Sequence, residues 1–139
     1  MQLKVSGIAL DNLGNIYVID SYNHRIMKWA PDASEGTVVA GGNGEGSANN
    51  QLHYPVGITL DSSGNIYIVG EIMSRVMKWE PGATEGKVVA GGNGRGSANN
   101  QLYYPWGIDL DSSENIYIAD RFNQRIQKVQ IAPQITIAA

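Results

Sequence analysis

Gly7-Ile8-Ala9-Leu10-Asp11 returns as Gly57-Ile58-Thr59-Leu60-Asp61 and again as Gly107-Ile108-Asp109-Leu110-Asp111, each time 50 residues further on. Laid over one another, residues 7–56 and 57–106 are identical at 32 of 50 positions, so the chain is one structural unit copied along its length. Identity that high follows from recent duplication or from deliberate construction. What a single unit folds into therefore decides the whole.

Within the second unit, Gly57 to Leu60 reads as a first strand, a. Asp61-Ser62-Ser63-Gly64 is a tight turn, with glycine where a positive φ costs least. Asn65-Ile66-Tyr67-Ile68-Val69 is a β-branched and aromatic run, strand b, and Arg75-Val76-Met77-Lys78-Trp79 is strand c, closed by Glu80-Pro81-Gly82. Strand d is Lys87-Val88-Val89-Ala90, followed by Gly91-Gly92-Asn93-Gly94, in which neither helix nor strand persists. No segment has helical periodicity, so the expected class is all-β.

Four short antiparallel strands in a period of about 40–50 residues is the arithmetic of a propeller blade. Strand b supports this. It is apolar on both sides, which a strand tolerates only when covered on both faces, as a blade is between its neighbours. A β-solenoid is the rival, but its coils are usually shorter. The expectation is three blades, blade 1 over about 1–50, blade 2 over about 51–100 and blade 3 over about 101–139.

The stretch Pro55-Val56-Gly57-Ile58-Thr59-Leu60-Asp61-Ser62-Ser63-Gly64-Asn65-Ile66-Tyr67-Ile68 resembles the NHL repeat, as do Asp20-Ser21-Tyr22-Asn23-His24-Arg25-Ile26 and Asp120-Arg121-Phe122-Asn123-Gln124-Arg125-Ile126. The resemblance covers essentially the whole chain. It implies a six-bladed ring used to bind proteins or, in some members, RNA; one lyase branch, which makes peptide amides with a histidine-bound metal, is catalytic. The second unit departs from the pattern, with Gly70-Glu71-Ile72-Met73-Ser74 in place of the Asp…Asn-His loop.

Three blades fall short of the about four to eight that close a single-chain ring. The third unit ends in Gln134-Ile135-Thr136-Ile137-Ala138, read as a shortened strand d. An open stack leaves an apolar blade face bare at each end, so a homodimer is expected, blade 1 of each copy against blade 3 of the other, giving a six-bladed ring.

Composition excludes several other classes. Ten Lys and Arg are scattered singly in a chain of net charge -3, which argues against nucleic acid or an anionic membrane as the main partner. There is no cysteine, hence no disulfide, thiol chemistry or Cys-based zinc site. No apolar stretch reaches membrane-span length, and Met1 to Gly7 lacks the apolar run of a signal peptide, so a soluble, cytoplasmic protein is the default expectation.

Asp11, Asp61 and Asp111 share one phase and read as turn residues bonding their own backbone rather than as an acidic ring. Asp20 with Arg25, and Asp120 with Arg125, read as exposed cross-strand ion pairs worth at most about 1 kcal/mol. His24 and His53 sit at unrelated phases, too few for a catalytic zinc, and the glycine-rich Gly41 to Gly46 lacks the lysine and helix of a phosphate loop. No catalytic residue, metal or cofactor is expected. Tyr17, Tyr67, Tyr117, Trp29 and Trp79 are periodic and read as core between blades, whereas Trp106 and Phe122 are not demanded by the repeat.

Variation collects in two places: residues 20–24 share nothing with 70–74, and Glu45, His53 and Val56 face Arg95, Tyr103 and Trp106. In an up-and-down blade the b–c loop and the d–a connection emerge on one rim, and a rim freed from the repeat is where a binding surface develops. The expected ligand-contacting residues are Tyr22, His24, Glu45, Ile72, Met73, Arg95, Trp106, Arg121 and Phe122. The leading reading is a non-catalytic scaffold that assembles with itself and binds a protein or peptide. Its rivals are an engineered or fragment assembly without a natural ligand, an RNA-binding domain, which the mixed charges of Asp20, Glu71, Arg95 and Arg121 disfavour, and a lyase.

Overall fold

A computed structural model describes residues 5–70 and 72–130. Each unit folds as an antiparallel meander. The first blade is β1 (Val5–Leu10), β2 (Ile16–Asp20), β3 (Arg25–Trp29) and β4 (Thr37–Gly41), hydrogen-bonded in that order. The second is β5 (Pro55–Leu60), β6 (Ile66–Gly70), β7 (Arg75–Trp79) and β8 (Lys87–Gly91). The third is described as three strands, β9 (Gly107–Leu110), β10 (Ile116–Asp120) and β11 (Arg125–Val129); the strand d expected over Gln134–Ala138 lies outside the described residues. Short 3-10 turns at Ser21–Asn23 and Arg121–Asn123 are the helical elements among the described residues.

Strand a of each blade lies against strand a of the next, β1 beside β5 and β5 beside β9, while the outer strands β4 and β8 splay apart. That fan is propeller geometry, with strand a innermost. The repeated glycine of the opening motif permits the convergence. A Cβ on Gly57 would stand 2.7 Å from the Trp106 carbonyl oxygen of the next blade, too close for any other residue.

Two apolar layers hold the fan together. Tyr17, Ile19, Ile26 and Ala40 of blade 1 meet Ile66, Ile68, Met77 and Trp79 of blade 2. The opposite face of blade 2, with Tyr67, Val69 and Val76, meets Ile116 and Ile118 of blade 3. Strand β6 is thus buried on both faces, which is why its sequence does not alternate. Tyr17, Tyr67 and Trp79 are core as expected, while Trp29 and Tyr117, on the outer faces of the end blades, are only half-buried.

The recurring aspartates are turn residues. Asp61 Oδ1 accepts the amides of Ser63 and Asn65, and its Oδ2 accepts Asn65 Nδ2 and Tyr67 Oη at 2.8 and 2.9 Å. Asp11 and Asp111 repeat all four bonds. Hydrogen bonds from Asn115 hold the Asp111 carboxyl down at about 2, and burial beside Asp11 pushes the Tyr17 hydroxyl up to about 12.

The ion pairs expected to be exposed are not. Asp20 and Asp120 are fully buried, each accepting Arg25 or Arg125 Nε at 2.8 Å. The reason is reach across blades: the Arg125 guanidinium donates to the carbonyls of Ser97, Ala98 and Gln101 in the connection from the preceding blade. Arg75, where Gly70 replaces the aspartate, does the same to Ser47 and Gln51. The Asp120–Arg125 pair therefore seals the junction of blades 2 and 3, while Asp20–Arg25 bridges strands of its own hairpin.

Candidate functional site

The b–c loops and the d–a connections do meet on one rim. Each connection is a pre-built loop. In the first, Asn43 Nδ2 donates to the Asn50 carbonyl at 2.7 Å, Gln51 Nε2 to the Asn43 carbonyl at 3.0 Å, and the Gly46 amide to the Leu52 carbonyl. Leu52 is fully buried and anchors the loop in the core. Asn93, Gln101, Gly96 and Leu102 make the same set. From residue 38 to 52 against 88 to 102, one position differs: Glu45 against Arg95.

Around Glu45, at the junction of blades 1 and 2, the rim is polar and aromatic. Its Oε2 lies 3.4 Å from His24 Nε2 and 3.7 Å from His53 Nε2. His24 holds a left-handed φ of 53° at the end of the 3-10 turn, and its Nδ1 accepts the Tyr54 amide at 3.0 Å. That bond makes the imidazole neutral, with its proton on Nε2 towards Glu45. Burial holds its pKa below the usual value, against the pull of Glu45. Tyr54 packs edge-on to both His24 and Tyr22, at 4.5 and 5.8 Å.

Around Arg95, at the junction of blades 2 and 3, the same backbone carries a cationic aromatic cluster. Arg95 Nη1 donates to Tyr104 Oη at 3.2 Å, and its guanidinium lies over the Tyr103 ring. Phe122 stacks on Tyr103 at 5.5 Å and touches Tyr104 at 4.6 Å. Arg121 sits over Trp106 and Phe122, 4.8 and 5.0 Å from their centroids.

Of the residues expected from sequence, Tyr22, His24 and Glu45 gather at the first junction, and Arg95, Trp106, Arg121 and Phe122 at the second. Ile72 is half-exposed on the blade 2 loop. Met73 is corrected: it is buried among Ile19, Ile68 and Met77, because Gly70 leaves room for its sulfur, and it belongs to the core. His53 and Tyr103, noted in the sequence as positions that vary between units, complete the clusters together with Tyr54 and Tyr104. Tyr54 and Tyr104 recur at one phase and so read as repeat constraint; their left-handed φ of 45° and 48° is what turns them to the rim.

Although Glu45 approaches two histidines, no three His, Asp or Glu side chains among the described residues converge on a metal position. The rim presents aromatic side chains together with the Glu45 carboxylate at one junction and the Arg95 and Arg121 guanidinium groups at the other.

Two repeat models match the sequence, the NHL repeat over residues 4–29 and 102–129, and a β-propeller repeat over residues 46–74. The chain belongs to the NHL-repeat β-propeller family. Solved propellers share the fold of this NHL-repeat chain. A protein of unknown function from Bacteroides thetaiotaomicron superposes with a TM-score of 0.75 at 23% identity, over 92% of this chain and 38% of that one. An auxiliary nutrient binding protein from the same organism gives 0.71 at 19% identity, over 87% and 36%. A streptogramin B lyase gives 0.66 at 21% identity, over 90% and 37%. The NHL-repeat chain thus spans under two-fifths of each of these structures, and the likeness concerns the fold. No curated protein matches it.

Among the described residues no helix is long and apolar enough to cross a membrane.

Proposed function

We propose that this NHL-repeat chain is a non-catalytic binding scaffold that closes a six-bladed ring with a second copy and presents its b–c rim to a protein or peptide. One observation carries the reading: each open end face repeats a face that is buried inside. On blade 1, Ile16 is 36% exposed, whereas its counterparts Ile66 and Ile116, which meet a preceding blade, are 3% and 0% exposed. On blade 3, Ile126 is 68% exposed, whereas Ile26 and Val76, which meet a following blade, are both at 0%. Ile8 and Leu10 on blade 1 are likewise 62% and 66% exposed. Docking blade 3 of one copy on blade 1 of another rebuilds the internal interface, and two such junctions related by a twofold axis close the ring.

Light scattering at micromolar concentration tests this. The expected mass is twice the 15.0 kDa chain. A folded monomer would remove the closed ring, and a trimer or tetramer would remove the six-blade count.

A further inference from the structure

The rim holds two copies of one loop that differ in a single side chain, and the difference reverses its charge. At the blade 1–2 junction Glu45 is already engaged, lying between His24 and His53. Arg95 is not. Among the described residues no carboxylate lies within ion-pair distance of it; its contacts are the Tyr104 hydroxyl and the Tyr103 ring face. These brace an exposed guanidinium in one orientation without neutralising it. Beside it stand Phe122 and Trp106, 55% and 45% exposed, with the Arg121 guanidinium over both rings.

We propose that this station binds an acidic, aromatic-bearing segment of a protein partner, with Arg95 as the anchor for a carboxylate. This rests on reading the rim as the binding face. A planar, pre-oriented guanidinium matches a carboxylate in two parallel hydrogen bonds, and neighbouring ring faces take the partner's aromatic side chains. Single-stranded nucleic acid would use the same stacking, but it needs a cationic groove that follows the phosphates. Here the next station along the rim carries Glu45, which repels them. The charge pattern favours polypeptide.

Both test substitutions are templated by the molecule itself, since Glu and Arg each occupy this position in loops of otherwise identical sequence. The full chain is titrated with poly(Glu,Tyr), poly(Lys,Tyr) and oligo(dT) at two salt concentrations. Wild type should bind poly(Glu,Tyr) best. Arg95→Glu should weaken that binding roughly tenfold or more, as a charge-assisted contact becomes a repulsive one. Glu45→Arg should strengthen it by creating a second anchor. Equal binding by wild type and Arg95→Glu would overturn the acidic-partner assignment. If binding nevertheless fell with Trp106→Val, which installs the residue of the matching position, the rim would survive as the binding face. Tighter, Arg95-dependent binding of oligo(dT) would overturn the assignment in favour of nucleic acid. Failure of all three probes to bind would overturn both this assignment and the rim reading.

Discussion

At the scale of single residues, backbone conformation separates positions that look alike in sequence. The a–b turns place Gly14 and Gly64 at φ of 84° and 83°, and Glu114 at 65° in the same turn. A side chain there costs on the order of 1 kcal/mol, and Glu114 recovers part of it by accepting the Ser62 hydroxyl at 3.0 Å. Glu114→Gly should therefore stabilise the chain by at most about 1 kcal/mol in urea denaturation. Gly64→Glu should destabilise it, through φ alone, since a Cβ at that site meets nothing nearer than Pro81 at 3.7 Å. His24 gives a pH dependence with a defined sign. Burial lowers its folded pKa below the 6.5 of the unfolded chain. As pH falls through that value the unfolded chain takes up a proton that the folded one refuses, because Nδ1 is committed to the Tyr54 amide. Stability then declines, by up to about 1.4 kcal/mol per pH unit, until the folded ring titrates too. His24→Gln, using the residue that Gln124 supplies at the same left-handed position, should flatten this limb of urea midpoints between about pH 6.5 and 5.

Elements were the most legible scale, and the reason is periodicity. Strand c of blade 2 and the turn aspartates are where the repeat places them, and strands a, b and d differ from the sequence boundaries by one or two residues at their ends. What the repeat conceals is reach between elements. Asp120 and Arg125 look like a local hairpin pair because their further partners, in the connection from blade 2, lie 17 to 28 residues back in sequence. In blades 2 and 3 the arginine of strand c acts instead as a clamp, carrying the guanidinium of one blade to the carbonyls of the connection before it. Arg75 makes this explicit: it is 6% exposed, it lacks the aspartate, and its bonds go to Ser47 and Gln51. Arg75→Ala should leave those carbonyls without donors and cost about 1.5–3 kcal/mol, the usual range for hydrogen bonds to a charged group. Hydrogen exchange should locate the loss in residues 41–52 and not in the outer hairpin of blade 1. Even protection across both regions would show that the clamp is dispensable.

For the whole molecule, blade number could be counted from the sequence, but the two rim stations could not be assembled from it, because each combines a b–c loop with a connection some 20 to 30 residues away. Glu45 and His24 are a pair only once the fan has formed. The same limit applies to the ends, where sequence makes Ile26, Val76 and Ile126 equivalent and structure makes the third solvent-facing. That difference is the most direct handle on assembly. Ile126→Glu alters a side chain that is 68% exposed in a single copy, so in an isolated three-blade stack it should change stability by no more than about 0.5 kcal/mol. In a ring closed by a second copy, Ile126 takes the place that Ile26 and Val76 hold inside, and the buried carboxylate should break the pairing. The variant should then run at half the wild-type mass, and its melting temperature should no longer rise with protein concentration, as wild type's should over a hundredfold range because dissociation and unfolding are coupled. Wild-type mass and an unchanged melting curve in the variant would show that blade 3 ends at solvent, and would remove the twofold ring.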